Sequence, residues 1–291
     1  MLALLQIFGG KLDKIKFQKL LFLLSNNQDI PSFDFIPYKY GCFSFQSYAD
    51  LRTMIKYGYV EENGNSSNGS WIIIDQNDYL KELLAPDLAE LRSIKRTFGK
   101  YSTSDLIKFT YTNFPYYAIN STISNNYLDE NELKMIEETR PQINHNVLYT
   151  IGYEGTSLEK YLNKLIHNNI KVLCDVRKNP LSMKYGFSKN QLKNACESIG
   201  ITYTHIPELG IESKKRQHLV TQSDYDALFK EYRNTTLASV DSELHKLFDL
   251  MNINSRIALT CFESNINQCH RKHVANKLTT LPKWKYEVRH I

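Results

Sequence analysis

No stretch of this 291-residue chain approaches the ~18 consecutive apolar residues of a transmembrane helix, which excludes a helical membrane span. The apolar start, residues 1–8, is short and is interrupted by Gly9-Gly10 and Lys11, unlike a secretory signal. Cysteines are few and odd in number: Cys42, Cys174, Cys196, Cys261 and Cys269. A chain of this size does not need disulfide staples, so a reducing cytoplasm is the expected compartment. Paired Cys-x₂₋₄-Cys knuckles are missing, and Cys269 and His270, adjacent on an expected helix, would point apart; no metal is expected. Neither a P-loop nor a dinucleotide fingerprint occurs, so no cofactor is expected either. Internal repeats and heptad runs are also absent.

What is present suits a soluble globular protein: 42% apolar residues, with a heavy load of 19 Tyr and 14 Phe for packing, stacking or an interface. The net charge of +5 fits an anionic partner such as DNA, RNA or a nucleotide, but a mildly basic protein without such a role looks the same. The length is where one core gives way to two.

The first half reads as mainly helical. A dense apolar segment from Leu12 to Leu24 with interspersed Lys is a strongly buried helix. An aromatic loop follows over residues 33–44, its backbone restricted by Pro37 and turned at Gly41. Ser47 caps a helix ended by Gly58, and Tyr59-Val60, an Asn/Ser/Gly tip at 63–69 and Trp71-Ile72-Ile73-Ile74 have the layout of a wing. Helices are expected over 79–98, 104–111 and 131–139. The polar, Pro-containing run Pro141-Gln142-Ile143-Asn144-His145-Asn146 marks the domain boundary, giving domains 1–143 and 144–291. Beyond it, strands at 147–151, 170–174, 201–205 and 257–262 alternate with helices over 157–167, 189–199, 225–235, 239–251 and 270–279. Short apolar strands separated by helices imply an α/β domain with a mostly parallel or mixed sheet flanked by helices.

The second half resembles the bacterial and archaeal DUF488 family. The resemblance is carried in order by Thr150-Ile151-Gly152-Tyr153-Glu154-Gly155-Thr156, Asp175-Val176-Arg177 with Asn179-Pro180-Leu181-Ser182, Phe187-Ser188-Lys189, Tyr203 with His205-Ile206-Pro207-Glu208-Leu209-Gly210, and Cys261-Phe262-Glu263 running into Cys269-His270-Arg271. The family name denotes unknown function, so the resemblance implies a fold and a site and leaves the reaction open. The first half, through Lys19-Leu20-Leu21-Phe22-Leu23, Pro37-Tyr38-Lys39-Tyr40-Gly41 and Gly58-Tyr59-Val60, is similar to winged-helix-like domains related to SocA-like (Panacea) antitoxin modules. That implies a regulatory or protein-binding role, with bacterial defence or a toxin–antitoxin pair as the setting.

The candidate chemistry lies at strand ends, where α/β proteins bind ligands. Cys269 and His270 open a helix after the strand that ends in Cys261 and Glu263, so the Cys269 thiolate would be favoured and Arg271 would receive an oxyanion. Asp175 offers a carboxylate for proton transfer and Arg177 a guanidinium, with Ser182 on the same surface; an Asp–Arg brace is the structural alternative. Glu154 is a second candidate acid or base, in a Gly152–Thr156 turn whose backbone N–H groups would approach a ligand beside Tyr153. His205 and Glu208 end the third strand. Lys214, Lys215 and Arg216 would meet a phosphate backbone, as would Lys39 and Arg52 near the wing. The leading expectation is an enzyme directed at nucleic acid or a nucleotide, with acid–base hydrolysis by Asp175 or Glu154. The alternatives are an antitoxin-like protein-binding factor gripping a partner through the aromatic loop, and a thiol enzyme using Cys269. The oligomeric state is left open.

Overall fold

In a computed structural model, which describes residues 1–64, 69–142 and 145–291, the chain divides into two units, Met1–Arg140 and Pro141–Ile291. The boundary expected between 143 and 144 and the centre of the expected wing tip, 65–68, lie outside the described residues.

The N-terminal unit is helix-rich around a small sheet. Its elements are α1 (Leu2–Ile7), β1 (Lys11–Asp13), α2 (Lys14–Asn27), β2 (Ile36–Tyr38), β3 (Gly41–Phe43), α3 (Phe45–Lys56), β4 (Val60–Asn63), β5 (Ser70–Ile73), α4 (Ala85–Phe98), α5 (Thr103–Asn113) and α6 (Glu130–Thr139). Helix α2 is buried without a break over residues 17–25, which makes it the hub of the core. Leu12, expected inside that helix, belongs instead to β1, where it pairs with Trp71 in an antiparallel sheet ordered β1-β5-β4. The expected aromatic loop contains an antiparallel hairpin, β2–β3, turned at Gly41 with φ +90°. Helix α4 starts six residues later than expected, because Pro86 fits its first turn and no earlier position. Capping boxes start α5 (Ser102 with Asp105) and α6 (Asp129 with Glu132).

The C-terminal unit is an α/β layer structure: β6 (Val147–Gly152), α7 (Leu158–His167), β7 (Val172–Asp175), α8 (Lys189–Glu197), β8 (Thr202–His205), α9 (Gln222–Asn234), α10 (Asp241–Asn254), β9 (Arg256–Cys261), α11 (Arg271–Thr279) and β10 (Glu287–His290). All the strand pairings are parallel, in the order β10-β6-β9-β7-β8. The central strand β9 is buried along its whole length, as a strand covered on both faces must be. From β7 the chain proceeds outward to β8, and from β9 it proceeds the other way to β10. The carboxyl ends of the neighbouring strands β7 and β9 therefore flank a topological switch point, the usual crevice for a ligand in an open α/β sheet. The core beneath is formed by the strands with Leu244, Leu247, Val274 and Leu278 from the helices.

Candidate functional site

A hollow of about 260 Å³ opens at this switch point. Its floor holds Cys261 and His270, its walls carry Tyr153, Arg177, Lys178, Ser182 and Arg216, and Phe262 stands at its edge, 42% exposed. Leu181 and Met183 add exposed apolar side chains beside it.

The floor follows from the backbone of two segments. Cys261 is the last residue of β9, and Cys269, in extended conformation (φ −131°, ψ 132°), precedes the helix that His270 caps. Because neither Cys269 nor His270 lies within the helix, they do not diverge as expected. The sulfurs of Cys261 and Cys269 and a ring nitrogen of His270 all lie within 4.8 Å of one another, and all three residues are buried. His270 Nε2 donates to the Val176 carbonyl at 2.8 Å, which leaves Nδ1 turned toward Cys261 Sγ at 3.6 Å. The Cys261 thiol also reaches Glu263 Oε2 at 3.3 Å, and Arg216 pairs with Glu263 while approaching the same sulfur at 3.9 Å.

Electrostatics separates the two thiols. Burial opposes ionisation of Cys261, but the hydrogen bond from Cys269 and the neighbouring His270 and Arg216 charges outweigh it and hold the thiol well below the ordinary range. Burial and the Cys261 charge push Cys269 well above that range. The direction of these shifts favours a thiolate on Cys261 over Cys269, where one was expected, although both residues are buried.

Several other expected contributors are engaged elsewhere. Asp175 is 0% exposed and is not part of the hollow. Its oxygens accept from Arg177 Nε at 2.8 Å, from the Arg177 backbone N–H at 3.1 Å and from the Tyr203 hydroxyl at 2.6 Å. Arg177 also donates to the Tyr153 hydroxyl and to the Phe187 carbonyl, at 2.7 and 2.9 Å. Burial alone would lower Arg177, yet the bonds and charge from Asp175 raise it above its usual value. This is the bracing alternative, a closed network with no oxygen left to move a proton.

Glu154 is exposed and latches two loops together, accepting from the Ser264 N–H and hydroxyl at 3.0 and 3.1 Å. The N–H groups of Tyr153 and Glu154 are spent on the Phe262 carbonyl, and a Cβ at Gly152 would collide with the Glu263 carbonyl. The Gly152 turn therefore accommodates the chain's own loop, where a ligand was expected, and Thr156 does not line the hollow. Arg271, 2% exposed, donates to the carbonyls of Glu263 and Ser264 and so shapes the 262–264 loop instead of receiving an anion. His205 donates to the Arg177 carbonyl and, with Glu208, faces a separate hollow of about 510 Å³. Of these strand-end candidates only Arg177 lines the hollow at the switch point; Glu154, Asp175, His205 and Arg271 do not.

Of the basic run, Arg216 lines the hollow, Lys214 is exposed, and Lys215 pairs with Glu231 at 2.6 Å. In the N-terminal unit Arg52 is paired with Glu62, and exposed Lys39 lies over the Tyr38 ring. Lys178, Leu181, Met183, Ile211, Ser213 and Phe262 were missed as lining residues. The signal for Met183 is chemical: a large apolar residue between polar Ser182 and Lys184 suits an exposed rim better than a core.

Residues 157–278 match the model of the family described as "Domain of unknown function DUF488", less than half of the chain and excluding the Gly152–Thr156 turn. No curated protein and no solved structure matches the chain. Among the described residues no helix is long and apolar enough to cross a membrane.

Proposed function

We propose that the C-terminal unit is an enzyme directed at a nucleotide or a nucleic acid, hydrolysing a base or nucleotide held at the β7–β9 switch point. The observation that carries this reading is the hollow itself: a Cys261–His270 floor lies under Lys178 and Arg216, with Phe262 exposed at the edge. Lys178 supplies charge for a phosphate, Arg216 is held at the wall by Glu263, and Phe262 supplies a face on which a base stacks. A base taken from a duplex would have to be extruded to reach the floor. Asp175 is a positioning residue in this reading, since it holds Arg177 and does not touch the hollow. The N-terminal unit is read as a winged-helix-like module that binds nucleic acid through α3, β4 and β5.

The test is a calorimetric and turnover screen of nucleotides, modified nucleotides and short DNA and RNA strands at low salt. Binding that weakens by about tenfold in Lys178→Ala or Phe262→Ala supports the reading. No binding and no turnover by the wild type overturns it.

A second reading has one observation in its favour. The N-terminal unit holds an aromatic hollow of about 480 Å³ whose lining includes Tyr38, Phe43, Tyr48 and Trp71. Such a surface suits a protein partner, as an antitoxin-like factor would require. A stoichiometric partner lost on Tyr38→Ala or Phe43→Ala would favour it. Cytoplasmic defence and toxin–antitoxin settings belong to this reading through family resemblance.

A further inference from the structure

We propose that Cys261, Cys269 and His270 hold a zinc ion whose open coordination position faces the 260 Å³ hollow. Four separate features lead there. First, the donor set is two thiols and an imidazole, a combination that suits zinc and that serves with a fourth, exchangeable position in catalytic sites.

Second, the spacing is right before any ion is added. Zn–S bonds near 2.3 Å and Zn–N bonds near 2.0–2.1 Å, at tetrahedral angles, put sulfur about 3.5 Å from nitrogen and two sulfurs about 3.8 Å apart. Cys261 Sγ and His270 Nδ1 lie 3.6 Å apart, and the whole triangle fits within 4.8 Å.

Third, the tautomer is set for ligation. The Val176 carbonyl can only accept, so in the neutral ring the proton sits on His270 Nε2 and the Nδ1 lone pair is turned to Cys261 Sγ, free to bind once a metal displaces any second proton. A histidine that donates its far nitrogen to a backbone carbonyl is the usual arrangement behind a metal-bound imidazole. The Tyr232 ring packs against the imidazole nearly at right angles, with the ring centres 5.8 Å apart.

Fourth, the triangle is asymmetric toward solvent. Cys261 and His270 line the hollow, whereas Cys269 is sealed behind them. A fourth ligand, water or a substrate atom, would therefore enter from the hollow. Glu263 lies outside the triangle but touches Cys261 and is anchored by Arg216, so its carboxylate is placed beside that entry.

The inference goes beyond the nucleotide reading and does not need it, since a zinc site at this turn would serve other hydrolyses equally. Its readout is accordingly metal and not activity. The full chain is purified without chelators or a metal-binding tag, dialysed against zinc, and its metal content measured by mass spectrometry. About one zinc per chain is expected, falling by about tenfold or more in Cys261→Ser, Cys269→Ser and His270→Asn, and unchanged in Cys196→Ser, whose thiol is buried elsewhere.

Cobalt replacing zinc in the wild type should give thiolate charge-transfer bands and the strong visible bands of a tetrahedral site. That spectrum stands on its own if a variant fails to fold. No bound zinc with no tetrahedral cobalt spectrum, or a Cys261–Cys269 disulfide in freshly purified protein, overturns the site. Nucleotide binding in the absence of zinc would then leave the function reading standing alone, and zinc without nucleotide binding would do the reverse.

Discussion

Two buried cations, one in each unit, are held in opposite ways. In the N-terminal unit Lys19 is 1% exposed, with its ammonium on the Tyr40 carbonyl at 2.6 Å, beside Cys42 and over the Tyr111 ring, and without a carboxylate partner in the ion pairs of the described residues. In the C-terminal unit Arg177 is gripped by fully buried Asp175. Burial lowers Lys19, against the opposing pull of Cys42, whereas Arg177 is raised. The difference lies in the side chains: a buried lysine can give up its proton, whereas an arginine stays charged and must be fully bonded, by a carboxylate at Arg177 and by backbone carbonyls at Arg271. Histidine divides the chain as sharply, since all eight lie from His145 onward and the N-terminal unit has none.

The largest effect expected from this comparison is at Asp175. Asp175→Ala strands the Arg177 guanidinium in the core and should cost about 3–5 kcal/mol in urea unfolding. A cost below about 1 kcal/mol would show that Arg177 escapes to water and that the pair is no brace. Next comes Gly41→Ala, whose Cβ would collide with Lys19 Nζ and the Tyr111 ring at a φ of +90°; destabilisation of about 1–3 kcal/mol is expected.

Lys19→Met should cost less than about 1.5 kcal/mol, because an apolar stem of similar shape removes a desolvated amine along with its one strong hydrogen bond. If Lys19→Met proves as costly as Asp175→Ala, the contrast between Lys19 and Arg177 collapses.

The smallest effect concerns pH. Burial first, with the Arg233 and Lys272 charges, lowers His273 to about 4, and burial also lowers His167 and His290. A lowered folded-state pKa means that between 6.5 and about 4 the unfolded chain binds more protons. Stability is therefore fully present above 6.5 and is lost as pH falls through that window. His273 is partly exposed, so solvent screening should hold its share to less than about 1 kcal/mol. Urea midpoints compared at pH 7 and 4.5 for wild type and His273→Asn would read this slope, which should be shallower in the variant.

Much of the fold was legible because burial imposes period and length. The first four strand runs of the C-terminal unit, such as Ile257-Ala258-Leu259, became β6 to β9 within a residue or two. The missed strand β10, Glu287-Val288-Arg289-His290, is a half-exposed edge with no apolar run to betray it. The β2–β3 hairpin was missed because each of its strands has only three residues. At the site, the Cys261 turn was visible as a strand end followed by ionisable groups. That Asp175 faces inward to Tyr203, or that Arg216 reaches back to Glu263, is invisible in a chain where these partners stand 28 and 47 residues apart.

The amino-acid order alone therefore determined the alternation of strands and helices in the C-terminal unit, and it located the two turns, after β7 and β9, that contribute to the hollow. Tertiary structure decided which ionisable groups are brace and which are floor: Asp175, Glu154 and Arg271 are consumed by the protein itself, while Cys261, Cys269 and His270 meet. The physical reason is that periodicity records only a residue's exposure to solvent, whereas the state of a carboxylate, thiol or imidazole depends on partners brought beside it by the sheet.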